Sequence, residues 1–199
     1  MKLLSICIIV FCLVGCTIEE VVDEHAVEEV FYDNLEPSND SQVVERELLP
    51  EIMPVDFYIV LKYGVRPRNV IDTSEGSISK DMIIDDSIKI LYEFSDLQLR
   101  DFYSELQSIS IEKYPNVFLS PYKLSNISEF GGQEPYIVYD LTYMVNGEVY
   151  KVKWNDKYPG ESLEDKMGDD LRSALNNIID IVEGLEEFRN LPESESGYE

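Results

Sequence analysis

Tyr139-Asp140-Leu141-Thr142-Tyr143-Met144-Val145-Asn146-Gly147-Glu148-Val149-Tyr150-Lys151-Val152-Lys153-Trp154 reads as two strands joined by a two-residue turn. Asn-Gly between alternating apolar residues is the strongest short-range hairpin signal, because a type I′ turn needs positive φ at both central positions. With Asn146-Gly147 as the pivot, Tyr143 faces Tyr150, Leu141 faces Val152 and Tyr139 faces Trp154, all on one side. Met144 with Val149, Thr142 with Lys151 and Asp140 with Lys153 occupy the other. One side is aromatic and aliphatic; the other carries a polar pair and a charge-complementary pair. A slip of one residue would mix them, so turn and pattern specify one register.

Working back from this hairpin, Phe57, Ile59, Leu61, Tyr63 and Val65 alternate with Tyr58, Val60, Lys62 and Gly64, the pattern of a half-buried strand. A second extended run covers Ser77 to Ile84, with Asp85-Asp86-Ser87 as its turn. A third strand carries Ile88, Ile90, Tyr92 and Phe94. Ser95 with Gln98 three residues on forms a capping box. Leu99, Phe102, Tyr103 and Leu106 follow at the spacing of one buried helical face, fading near Ser108. Downstream, Ser162 with Asp165 suggests a second capped helix, striped by Leu171, Leu175, Ile178, Val182 and Leu185 and ended by Leu191-Pro192. Gly168 and Gly184 are expected to weaken it by about 1 kcal/mol each. The order β-β-β-α-β-β-α predicts an α+β domain, an antiparallel sheet of about five strands with two helices on one face.

Outside the domain the chain changes character. Lys2, an apolar run from Leu3 to Val14 and then Gly15-Cys16 have the layout of a secretory signal, too short to span a bilayer. Leu13-Val14-Gly15-Cys16 resembles the lipobox of bacterial lipoproteins. That resemblance implies cleavage before Cys16 and a diacylglyceryl group on its thiol. Residues 16–50 then form an acidic tether with eleven carboxylates from Glu19 to Glu47 against one base, Arg46, a composition that disfavours folding. Residues 51–192 form the single domain, and 193–199 a frayed acidic end.

The net charge of −24 repels phosphate backbones and argues against nucleic acid as a partner. It repels anionic head groups equally, so membrane attachment falls to the lipid. All three cysteines, Cys7, Cys12 and Cys16, lie in or at the signal, which leaves the domain no thiol for a disulfide or a metal. The single histidine, His25, sits in the tether. No Gly-x-Ser-x-Gly, phosphate loop or dinucleotide fingerprint is present. Only carboxylate chemistry stays open, and with forty acids in the chain a pair of them carries no signal. The expectation is a protein without enzymatic activity or cofactor.

Two places could bind something. Asn69, Asp72 and Thr73, followed by Lys80 and Asp81, are either turn chemistry between strands or a small polar site. The segment from Glu112 to Pro135 is long for a loop and carries Tyr114, Phe118, Tyr122 and Phe130. These rings either form an interaction surface or pin the loop to the core. Asp85-Asp86 and the group Asp165, Asp169 and Asp170 lack the spacing of a calcium loop and read as solvated surface.

Tyr63-Gly64-Val65, Asn69-x-x-Asp72-Thr73, Lys80-Asp81-Met82, Tyr114-Pro115 and Leu191-Pro192 near Gly197-Tyr198 together resemble a family. It is that of the small lipoproteins of Bacillus-like Gram-positive bacteria, whose function is unassigned. The resemblance transfers no catalytic residues. It implies an envelope location, lipid-anchored on the extracytoplasmic side, facing an unknown envelope protein. The alternatives are a small solute- or ion-binding lipoprotein of a transporter and, further off, an envelope hydrolase.

Overall fold

The computed structural model describes residues 46–119, 135–157 and 165–194. Cys16, most of the tether, Tyr122, Phe130, Ser162 and residues 195–199 lie outside them. The hairpin has the expected register. β6 (Ile137–Val145) and β7 (Glu148–Asp156) pair Tyr143 with Tyr150, Leu141 with Val152 and Tyr139 with Trp154. Asn146 and Gly147 take φ of 53° and 79°. The Asp56 carboxylate accepts from both their amides, at 3.2 and 2.5 Å, tying the turn to the chain entering the first strand.

β1 (Tyr58–Gly64), β2 (Asn69–Asp72), β3 (Ser77–Met82), β4 (Asp85–Leu91), β5 (Val117–Phe118), β6 and β7 form one sheet in the order β4-β3-β2-β1-β6-β7-β5. The class is α+β, but the sheet has seven strands and is mixed. β5 runs parallel to β7 at one edge. The expected count of about five fails at two short segments. Asn69–Asp72 resembles a turn in isolation, yet it is zipped between β1 and β3. Val117–Phe118 falls inside the expected loop, yet it lies alongside Lys153 and Trp154. The Asp85-Asp86-Ser87 turn is also corrected, since β4 already starts at Asp85 and Ile83-Ile84 make the turn.

Among the described residues three α-helices pack with the sheet. α1 (Asp96–Ser108) starts at Ser95, whose side chain accepts from Gln98 N while Gln98 Oε1 accepts from Ser95 N at 2.9 Å. α2 (Lys166–Glu183) is capped by Asp165, whose Oδ1 accepts from Gly168 N at 2.9 Å. Gly168 is therefore no simple weak point, since a Cβ there would run into the Asp165 carboxylate. Gly184 ends α2, and a separate turn, α3 (Glu186–Arg189), places Phe188.

Pairing rows across the sheet explain the core. Val152, Leu141, Leu61, Ile71, Ile78 and Ile90 line up over six strands. Four of these, Leu61, Ile71, Ile78 and Leu141, are fully enclosed with Leu106, Leu171 and Leu175 of the helices. Three phenols fasten α2 to the layer beneath: Tyr114 donates to Met167 O at 2.8 Å, Tyr139 to Asn176 Oδ1 at 3.1 Å and Tyr63 to Glu183 Oε1 at 2.9 Å. The domain also begins earlier than residue 51. Arg46 donates to Asn116 and to Lys151 O, and Pro50 O accepts from Tyr103 and Gln107.

Buried phenols, Tyr139 and Tyr143 among them, make the fold sensitive to alkali. Burial pushes Tyr139 and Tyr143 up to about 12, the negative Asp156 adding to the effect at Tyr139 and Arg46 opposing it at Tyr143. An unfolded tyrosine ionises near pH 10. Below about pH 10 both states hold the proton and the contribution is complete; between about pH 10 and 12 only the folded chain keeps it, so stability falls as pH rises. Urea melts at rising pH are expected to show that decline, and Tyr139→Phe is expected to make it shallower. An unchanged slope in the variant would exclude Tyr139 as a source.

Candidate functional site

The residues singled out in the sequence separate into three sets. Asp72 and Thr73 are structural. Asp72 Oδ1 accepts from Ser74 N, Ser74 Oγ and Glu75 N at 2.6 to 3.0 Å, closing the β2–β3 turn. Thr73 Oγ1 accepts from Ile59 N at 2.9 Å and donates to Ile59 O at 3.2 Å, continuing the ladder past β2. Tyr114 and Phe118 are interior residues, 2% and 4% exposed, in an edge-on chain of rings running to Trp154. They pack residues 114–118 into the core and present no surface there. Asp165 and Asp169 likewise have internal duties, as helix cap and as partner of Arg172.

Asn69, Lys80 and Asp81 do come together. With Ile83, Glu183, Phe188 and Ser194 they line a shallow pocket of about 320 Å³ where the end of α2 and α3 pass over β2 and β3. Tyr63 pairs with Asn69 on the helix-facing side of the sheet, and Lys80 follows Ser79, the partner of Val70. Glu183 reaches this row by accepting from Tyr63, and burial followed by the Glu183 charge raises the Tyr63 phenol far above its ordinary range.

Local chemistry sets the pocket floor. The ladder shifts register between Lys80 and Met82, a bulge at Asp81. Bulges remove a residue from regular pairing and re-aim its neighbours, often beside sites. The Asp81 N–H freed in this way donates to Asn69 Oδ1 at 2.8 Å. The Asp81 carboxylate accepts from Ile83 N at 2.9 Å and lies 3.5 Å from Arg68 Nη1. Ile83 itself sits at φ 66°, in the left-handed region that a β-branched residue rarely adopts. Such strain persists only where the surroundings over-determine it, and it clusters at functional sites.

Lys80 makes no ion pair: among the described residues no carboxylate lies within 4.0 Å of its ammonium, which sits 5.3 Å from the Phe188 ring. Exposed Lys89 and Lys166, by contrast, each hold an acid, Glu75 and Asp170. Glu183, Phe188 and Ser194 were invisible in the sequence as site residues. They lie over a hundred positions from Lys80, and only Gly184, as a break in the last helix, hints that the chain turns there.

The chain matches no family model, no curated protein and no solved structure. Among the described residues no helix is long and apolar enough to cross a membrane, and no group of three or more acidic, histidine or cysteine side chains is arranged to hold a metal ion.

Proposed function

We propose that this is an extracytoplasmic lipoprotein, anchored to the cell membrane through a diacylglyceryl group on Cys16, whose domain acts as a non-enzymatic protein-interaction module. The observation that carries the reading is Leu13-Val14-Gly15-Cys16 behind Lys2 and a twelve-residue apolar run. The resemblance to small Gram-positive lipoproteins points the same way, and so does a domain that keeps no cysteine of its own. The acidic stretch that follows suits a solvated tether holding the domain away from anionic head groups. Its charge also disfavours nucleic acid as a partner.

Cys16→Ala tests the anchor. Wild type is expected in the membrane fraction, with mass spectrometry giving a mature chain that starts at a lipid-modified Cys16; the variant is expected to lose that modification and leave the membrane. An intact Met1, or an unmodified thiol on soluble protein, would remove the basis of the reading. Crosslinking in intact cells then identifies the envelope partner. A second reading, solute capture beside a transporter, is favoured by one observation, the pocket around Lys80. An envelope hydrolase is the third reading, disfavoured because the only histidine, His25, lies in the tether.

A further inference from the structure

We infer that the pocket around Lys80 binds a small zwitterion, a molecule bearing an amino group and a carboxylate, as free amino acids and short peptides do. The inference rests on the second reading above and is independent of the lipid anchor. Three observations carry it. Lys80 offers a half-buried ammonium with no acid within ion-pair distance among the described residues, in a chain where acids outnumber bases by forty to sixteen. Asn69 has its carbonyl oxygen committed to Asp81 N, so its amide NH₂ adds donors in the pocket that Lys80 lines. Glu183 supplies the opposite pole, since one oxygen accepts from Tyr63 and a carboxylate has capacity for more.

Charge decides the ligand class. A plain anion at Lys80 would face the Glu183 and Asp81 carboxylates that line the same pocket; a plain cation at Glu183 would face Lys80. One molecule with both charges meets each pole with its complement. The Phe188 ring and Ile83 leave an apolar wall for a short side chain, and about 320 Å³ is at the small end of ligand sites. The bulge at Asp81 and the left-handed Ile83 hold this geometry against local preference.

Calorimetry on the full chain in detergent, with alanine and dialanine as probes and N-acetylalanine and alaninamide as blocked controls, tests the site. Saturable binding of alanine or dialanine is expected, with each blocked analogue about tenfold weaker or worse. Preference between the two probes tells a free amino acid from a peptide. Lys80→Met and Glu183→Gln are each expected to weaken binding by a similar factor; glutamine can still accept from Tyr63, and melting curves verify the fold. No saturation by about 10 mM, tenfold beyond a millimolar Kd, overturns the inference. So does equal binding of the blocked analogues to wild type, a result that needs no variant to fold. Either failure leaves the Cys16 anchor untouched, because fractionation tests that separately.

Discussion

Arg172→Ala is expected to destabilise the domain by about 3–5 kcal/mol, the usual cost of leaving a buried charge without its partner. Asp156, the last residue of β7, is 1% exposed. Its two oxygens accept from Arg172 Nε at 2.6 Å and Nη2 at 2.9 Å, and the third guanidinium nitrogen donates to Asp169 Oδ1 at 2.7 Å. These bonds hold the guanidinium charged far beyond its already high ordinary range, the Asp156 hydrogen bond contributing most. Urea denaturation followed through Trp154, the single tryptophan, measures the loss. Arg172→Lys is expected to restore less than half of it, because a point charge cannot form the forked pair. A loss below about 1 kcal/mol would mean that the pair behaves like an exposed one.

Trp154→Ala is expected to cost a similar amount, about 3–5 kcal/mol, as large core truncations do. The indole is 2% exposed. It stacks on Tyr139 with centroids 5.6 Å apart, takes the edge of Phe118 at 5.6 Å and lies under the Arg172 guanidinium at 5.2 Å. Circular dichroism must replace fluorescence as the readout, and Trp154→Phe is expected to lose less. Because Trp154 also lies against the Arg172 guanidinium, the two losses should not add. The double variant is expected to fall short of the sum by about 0.5–3 kcal/mol. Simple additivity would show that the ring and the ion pair contribute independently.

The parts of this fold legible in the sequence are those in which neighbouring residues decide the outcome. Asn146-Gly147 determines its own turn, and alternation on both sides determines what faces what. Ser95 and Gln98 satisfy each other within one helical turn. β2 was hidden because four residues ending in Asp72 satisfy turn chemistry as well as strand chemistry, and pairing with β1 and β3 decides between them. The Ile83-Ile84 turn was hidden for the opposite reason. Isoleucine favours strands, and only the Asp81 bulge and the pairing of Met82 with Asp85 force the chain to reverse there.

The candidate site divides along the same line. Asn69, Lys80 and Asp81 could be picked out as polar residues in an apolar context, but so were Asp72 and Thr73, which turned out to serve the backbone. The sequence by itself determined the α+β class, the hairpin register and a charge that disfavours polyanions, because local geometry, two-residue periodicity and summed charge need no partner distant in the chain. Only the tertiary structure decided which charged groups find partners. That depends on bringing Glu183 and Phe188 over Lys80, and Arg172 onto Asp156, contacts created by packing α2 and α3 against the sheet.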